Sequence, residues 1–242
     1  LGGLLAIGFA LAFYRFIVQS RSAEHGAQFS WWLSVGTLVF LFSGILITFS
    51  RAAVLAVVLL MLFWMIASLV FRQRIIVRTV SQVVLFCAVL FIAFNVVASN
   101  AWLQRLGTVP QAPEQAKLEF VSSDQRITEY HQSIVLFMAR ALIRGWGLGN
   151  YVPRLSVAFP TLPIYDYQPV HNVYIMIVLE IGIVGAAILG WFVFSLFRLS
   201  WRMLLRSTRQ QMLFSCVVLL LFMGLLDHYL WTSYLGQSLW WL

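Results

Sequence analysis

Long apolar runs constrain the fold of this chain more than any other feature of its sequence. Runs of about 17 to 25 apolar residues are long enough to cross a bilayer as helices, whereas an outer-membrane barrel needs short alternating strands. Hydrophobic residues make up 62% of the chain and charged residues only 10%, which excludes a soluble globular domain. The sequence therefore predicts an all-α, polytopic transmembrane helical bundle. About six spans are expected, roughly at residues 2–18, 30–48, 52–71, 79–97, 172–197 and 211–228.

The two ends of the sequence indicate a piece of a longer protein. The chain begins inside an apolar run and without Met, and it stops at Trp240-Trp241-Leu242, which looks like the start of a partial seventh span. We expect residues 1–242 to form a single membrane domain of a longer chain, with spans missing at both ends. Residues 98–170 are expected to form one long external loop within that domain.

The arginines set the expected orientation, since short loops rich in Lys and Arg stay on the cytoplasmic side. Two connections between spans carry basic residues without acidic ones, and both are expected inside. The loop over residues 98–170 is nearly balanced in charge and is expected outside, and alternation of the spans places Arg51 and His171 on that same face. The basic connections contain Arg72, Arg74, Arg78, Arg198, Arg202, Arg206 and Arg209.

The external loop is expected to contain an amphipathic helix. Residues 107–123 are irregular in pattern, and Asp124 can cap a helix that runs to Ala141. Apolar residues recur on it at three- and four-residue spacing, so one side can lie on the membrane or on the bundle. The glycine-rich residues 145–150 are interpreted as a helix stop, because they lack the strand and Lys-Ser/Thr of a phosphate loop. The apolar positions are Ile127, Tyr130, Ile134, Phe137 and Ala141.

Four short patterns stand in a distinctive order along the chain. Ser50-Arg51-Ala52-Ala53 opens a span, Arg126 begins the external helix, and residues 145–151 carry the glycine cluster. His171-Asn172 is then followed by Gly182 and Gly185, which is the most specific of the four. Together they resemble the O-antigen ligase and O-antigen polymerase superfamily.

The resemblance covers about residue 31 to the end of the chain. Residues 226–229, Leu-Asp-His-Tyr, resemble the last conserved region of that superfamily. Ala52 departs from it, because the family often has Gly after the arginine, and this concerns helix packing more than chemistry. The chain also has fewer spans than the ten or more usual in the family, which leaves the substrate cavity incomplete.

The resemblance implies a metal-independent, inverting glycosyltransferase of the multi-span, lipid-linked class. Such an enzyme moves a glycan from undecaprenyl pyrophosphate to an acceptor hydroxyl at the periplasmic face of the bacterial cytoplasmic membrane. Arg51 and Arg126 are candidates to bind the pyrophosphate, because guanidinium groups make forked contacts with phosphate. His171 is the candidate catalytic base, since an imidazole with an ordinary pKa of ~6.5 accepts protons near neutral pH. A nearby arginine pair is expected to favour its neutral form.

Further polar residues have both functional and structural interpretations. Asn172 is a candidate for substrate binding, and Asp227 with His228, near the outer end of the sixth span, is a candidate to contact the acceptor or donor. Glu180 lies about two and a half turns from His171 and is interpreted as structural. His171 has an alternative interpretation as a hydrogen-bonded histidine at a helix start. Arg126 has an alternative interpretation as a solvated partner of Asp124 or Glu129. His131 is interpreted as a surface residue.

Composition and residue spacing limit the expected partners. No metal or other cofactor is expected, because no cluster of Asp, Glu, His or Cys has metal-ligand spacing. The net charge of +8 resides mostly in the cytoplasmic arginines, so a nucleic-acid partner is not expected. The expected partners are a lipid-linked glycan donor, membrane lipids, and an acceptor hydroxyl on a glycan, a lipid A core or a protein.

Two other classes of protein fit parts of the same pattern. A transporter or flippase of lipid-linked sugars would also bind pyrophosphate with arginines, but it predicts ionisable residues near the bilayer centre and internal repeats. A structural membrane subunit would have no need of Arg51, Arg126 and His171 on one face. Within the superfamily, ligase, polymerase and protein O-oligosaccharyltransferase remain open, as do the sugar, the envelope type and the oligomeric state.

Overall fold

The structure is a computed structural model that describes residues 1–22, 28–97, 126–138, 142–203 and 207–238. Every regular element in these ranges is helical. The long helices are α1 (Gly2–Ser22), α2 (Gln28–Ile47), α3 (Arg51–Val70), α4 (Arg74–Val97), α8 (Val173–Met203) and α9 (Thr208–Leu226). The shorter ones are α5 (residues 126–138), α6 (Leu142–Arg144), α7 (Tyr151–Ala158), α10 (Tyr229–Thr232) and α11 (Tyr234–Ser238).

The predicted all-α, multi-span architecture is confirmed. Among the described residues, 5 helices are long and apolar enough to cross a membrane, and they correspond to α1, α3, α4, α8 and α9. The remaining expected span is α2, whose apolar part, Trp31–Ile47, is shorter. The expected Asp124 cap, the irregular residues 107–123 and the partial seventh span at Trp240-Trp241-Leu242 lie outside the described residues.

Helix α4 begins earlier than its apolar run predicts. The sequence places the start of this span at residue 79, but the helix begins at Arg74 and includes Arg78. Long arginine side chains can extend along a helix while their charged ends stay in water, so basic residues fit its first turns. The helix is therefore longer than its hydrophobic segment.

One compact unit consists of Leu1–Pro110 and Leu199–Met223. Its core contains aromatic pairs, with Phe9 6.0 Å from Phe42 and Phe13 edge-on to Trp64 at 5.9 Å between ring centroids. Ser50 caps α3 by accepting a hydrogen bond from the backbone N–H of Ala53, as Ser does at many helix starts.

A second compact unit consists of Gln111–Arg198 and Gly224–Leu242. Side chains from α5, α7 and the first turns of α8 pack into its core. Helix α5 turns a largely polar stripe towards this core, while Ile127 and Ile134 on its other side are 68% and 61% exposed. Two of the expected apolar positions are therefore exposed, whereas a third, Phe137, packs against this core. The core residues are Leu136, Tyr151, Leu155, Val170, Met176 and Leu179.

Helix α8 is interrupted at Gly182, whose φ of 70° and ψ of 175° are not helical. The break leaves the carbonyls of Leu179 and Glu180 without helical donors, and the glycine-rich segment supplies them. The backbone N–H of Trp146 donates to Leu179 O and that of Gly147 to Glu180 O, each at 2.8 Å. The glycine-rich segment thus donates hydrogen bonds to backbone carbonyls that would be costly to leave unsatisfied in a membrane interior.

Close backbone contact explains two of the glycines at this break. Gly145 and Gly182 both have positive φ, which L-residues rarely adopt. A Cβ at Gly145 would collide with the carbonyl of Glu180, and one at Gly182 with the carbonyl of Ile143. The glycine cluster is a helix stop, as predicted, and it is also bonded to α8.

Candidate functional site

His171 lies two residues before α8 and is held by a carboxylate from α5. Its Nδ1 is 2.7 Å from Oε2 of Glu129, and its backbone N–H donates to the same oxygen at 3.3 Å. Because the same oxygen accepts the backbone N–H, it serves as the acceptor of this contact, and Nδ1 carries the proton and donates it. In the neutral ring the lone pair is then on Nε2, and the imidazole is 26% exposed.

Glu129 is the functional residue that the sequence patterns missed. It is only 2% exposed, and within the described residues its Oε1 has no hydrogen-bond partner. The sequence patterns point to Glu129 only as a solvated partner of Arg126. The signal that could have found it is the spacing of Glu129, Gln132 and Ser133 with Leu136, which places a polar stripe on one helix face; all four are buried.

The Glu129 contact outweighs the expected effect of Arg126 on His171. The hydrogen bond that Nδ1 donates to Glu129 is the largest influence on the pKa of the imidazole and raises it. Arg126 lowers this pKa, as expected of a nearby cation, and the net direction is upward. Burial also lowers the pKa, and Asp227 raises it slightly. Arg126 thus favours the neutral form as expected, but the carboxylate bonded to Nδ1 outweighs it, so the net effect favours the protonated form.

A second histidine lies beside the first. The ring centroids of His171 and His228 are 5.0 Å apart, with the rings inclined at 69°. Burial is the main cause of a lowered pKa at His228, and His171 acts in the same direction, whereas Asp227 and Glu129 oppose it. The two imidazoles therefore favour different protonation states, with any positive charge on His171.

Asn172 and Asp227 organise the two histidine-bearing segments. Oδ1 of Asn172 accepts from the backbone N–H groups of Tyr174 and Ile175 at 2.9 and 3.2 Å and so caps α8. Its Nδ2 donates to Leu225 O at 3.3 Å, which ties this cap to the end of α9. Oδ1 of Asp227 accepts from the N–H of His228 at 2.7 Å and from that of Tyr229 at 3.3 Å.

The two candidate arginines belong to different units. Arg126 is exposed at the start of α5, one turn before Glu129, and its charge acts on the pKa of His171. Arg51 is exposed and is the first residue of α3 in the first unit. A cation at a helix N-terminus opposes the helix dipole, so a bound anion would relieve this position.

A buried hydroxyl pair supports the helix that carries Glu129. Ser133 Oγ donates its hydrogen to Glu129 O at 2.7 Å. Ser133 Oγ therefore accepts the hydrogen bond from the Tyr151 hydroxyl, at 3.0 Å. Burial is the main cause of a pKa raised to about 12 at Tyr151, so this phenol is a proton donor across the physiological range. Tyr151 therefore holds α5 in place without exchanging its own proton.

Glu180 has the structural role expected for it. The side chain is 2% exposed, and its Oε2 accepts from Trp231 Nε1 at 2.8 Å. This bond links the part of α8 before Gly182 to α10. Within the described ranges, no three His, Cys, Asp or Glu side chains form a cluster suited to a metal ion.

These features define a multi-pass helical membrane protein in which a buried carboxylate holds a histidine at the start of a span. Residues 36–190 match the O-antigen ligase family, and the chain belongs to that family. The match includes Arg51, Arg126, Glu129 and His171, and it ends before His228. No curated protein and no solved structure matches the chain. In broad terms, membership makes this a lipid-linked glycan ligase or polymerase that acts in a membrane.

Proposed function

We propose that this chain transfers a glycan from undecaprenyl pyrophosphate to an acceptor hydroxyl at the outer face of the bacterial cytoplasmic membrane. The transfer is metal-independent and inverts the anomeric carbon. The observation that carries the proposal is the 2.7 Å contact between Glu129 Oε2 and His171 Nδ1. A carboxylate on Nδ1 orients an imidazole and stabilises the imidazolium that forms when Nε2 takes a proton.

The proposed reaction is a single displacement. As the acceptor oxygen forms a bond to the anomeric carbon, its proton passes to Nε2 of His171. The bond from that carbon to the pyrophosphate oxygen breaks, and the electron pair leaves with the pyrophosphate. Because the hydroxyl attacks opposite the leaving group, the configuration inverts. Glu129 stabilises the charge that His171 gains.

Arg51 and Arg126 are proposed to bind the pyrophosphate. Its negative charge grows as the glycosidic bond breaks, and fixed guanidinium groups stabilise such a charge. Arg126 is exposed in the same unit as His171, and the unfavourable dipole position of Arg51 is the further argument for an anion there.

Asn172 and Asp227 are proposed to contact substrate through side-chain atoms that take no part in the hydrogen bonds described above. These atoms are the second hydrogen of Asn172 Nδ2 and Oδ2 of Asp227. Both residues flank the histidine pair, so contacts there would orient the sugar against Nε2 of His171.

The proposed outer location rests on the arginines of the short connections. Arg72, Arg74 and Arg198 stand at ends of spans, where basic residues favour the cytoplasmic side. The start of α8, with His171, is then at the opposite end of its span. The inner membrane of a bacterium is the compartment that presents an undecaprenyl donor on that side.

The test uses the full-length protein, purified and supplied with undecaprenyl-pyrophosphate glycan and separate glycan, lipid A core and peptide acceptors. Product masses identify which acceptor grows. His171→Ala should lose transfer by more than about a hundredfold, the usual contribution of a positioned base, while donor binding persists. His131→Ala, an exposed histidine on α5, is the matched control and should retain activity. Full transfer by His171→Ala, or movement of donor across vesicles without cleavage, contradicts the proposal.

A further inference from the structure

His228 has no part in the proposed transfer, although its ring lies 5.0 Å from that of His171. Its tautomer follows from counting hydrogens. Nδ1 is 2.7 Å from Thr232 Oγ1, and the same hydroxyl donates to His228 O at 3.2 Å. A hydroxyl has one hydrogen, so both contacts are satisfied together only if Nδ1 donates to Oγ1.

Both histidines consequently present the same kind of atom. Nδ1 of His171 donates to Glu129 and Nδ1 of His228 donates to Thr232, so each neutral ring has its lone pair on Nε2. In the part of the chain that the structure describes, no protein group bonds either Nε2. The site therefore offers two hydrogen-bond acceptors from adjacent, partly exposed rings.

Neighbouring acceptors suit a ligand with neighbouring donors. In the proposed transfer, Nε2 of His171 is already assigned to the acceptor hydroxyl that loses its proton. Most sugar hydroxyls have a second hydroxyl on the adjacent carbon, and a donor placed beside His228 would satisfy its Nε2. A hydrogen bond from that second hydroxyl would select one orientation of the acceptor ring.

We propose that His228 is an acceptor-binding residue, whose Nε2 accepts a hydrogen bond from the hydroxyl adjacent to the one that His171 deprotonates. This role rests on the proposed glycan transfer. His228 acts as a neutral acceptor and not as a second base, so its loss changes the affinity and orientation of the acceptor more than the chemical step.

The test measures transfer by full-length protein at saturating donor while the acceptor is varied. His228→Phe should raise the KM of the acceptor about tenfold, the usual effect of losing one hydrogen bond, and leave the KM of the donor unchanged. His228→Gln places an amide oxygen near the position of Nε2 and should restore the KM to within about threefold of wild type. Thr232→Val is the matched control, since it keeps the ring but removes the partner of Nδ1, and its effect should be intermediate.

A second arm uses methyl glycosides of glucose, galactose and heptose with their monodeoxy counterparts. The monodeoxy glycoside that lacks the adjacent hydroxyl should have a high KM with wild type. His228→Phe should not change that KM further. An unchanged acceptor KM in folded His228→Phe, or no rescue by folded His228→Gln, overturns this inference while transfer itself stands. Absence of transfer by wild type to every acceptor overturns the proposed function and this role with it.

Discussion

Glu129 Oε2 and His171 Nδ1 lie 2.7 Å apart although 42 positions separate the two residues in the chain. One end of this contact is on helix α5 and the other is just before the start of α8. The contact sets the tautomer of the histidine and raises its pKa. The chemistry of the site therefore depends on how α5 packs beside the start of α8.

Replacing Glu129 by Gln should move the acid limb of the pH profile. Because a base must be unprotonated, kcat/KM falls as pH drops through the pKa of His171, and in wild type this pKa lies above the ordinary value of about 6.5. The amide still accepts from Nδ1 but has no charge, so the limb should shift to lower pH and the maximal rate should fall. Profiles of kcat/KM against pH measure both. Asp166→Asn, which changes an acidic residue that does not contact His171, should leave the limb in place.

The same pair should make stability depend on pH. The pKa of His171 is raised on folding, so its contribution is fully present below the unfolded pKa and is lost as pH rises through the folded pKa. The thermal midpoint of wild type should exceed that of Glu129→Gln by more at about pH 5.5 than at about pH 8.5. An equal difference at both values would show that the pair acts through packing alone.

Substitution of Gly182 by Ala should be strongly destabilising. The new Cβ would meet the carbonyl of Ile143 and the residue would keep a positive φ, so we expect a loss of more than about 3 kcal/mol, or no folded protein. Gly149→Ala is the matched control, because Gly149 also has a positive φ but nothing lies within 4 Å of an added Cβ. It should cost only about 1 to 2 kcal/mol. Thermal unfolding in detergent compares the two, and equal losses would contradict the role of close contact.

Removing the indole donor to Glu180 should leave a buried carboxylate oxygen unsatisfied. Trp231→Phe should cost about 1 to 3 kcal/mol, the usual penalty for such a group. In the double variant, Glu180→Met also removes the unsatisfied carboxylate, so much of the lost stability should be recovered. If the double variant is as unstable as the sum of the single ones, the hydrogen bond is not the cause.

Lysine in place of either candidate arginine should weaken donor binding although the charge is kept. Arg51→Lys and Arg126→Lys lose the forked geometry for phosphate, and we expect the KM of the donor to rise about tenfold in each. Arg144→Lys, an exposed arginine at the end of α6, serves as the control. Unchanged donor kinetics in both variants would remove the arginines from the proposed mechanism.

The spans were predictable because a membrane requires one feature, a long apolar run, that a sequence displays directly. The position of His171 just before a helix was predictable because the residue stands at the start of such a run, with Gly182 and Gly185 after it. Helix α4 shows the limit of this reasoning, since its first turns are basic and still helical.

Glu129 could not be identified in the same way. An acidic residue on a surface helix is normally solvated, and burial of its carboxylate becomes evident only when His171 is seen to bond it. The pairing of His171 with His228 is likewise a tertiary contact between the starts of different segments. Such contacts come from packing: the spacing that puts Glu129 on a polar face of α5 does not reveal which residue it bonds.

The break at Gly182 has a mechanical consequence for His171. The turns of α8 before Gly182 have lost continuous helical hydrogen bonding to the turns after it, while Trp146 and Gly147 bond two of their carbonyls to the glycine-rich segment. The turns that follow His171 are thus anchored to that segment, so bending of α8 at Gly182 would leave the contact between His171 and Glu129 in place.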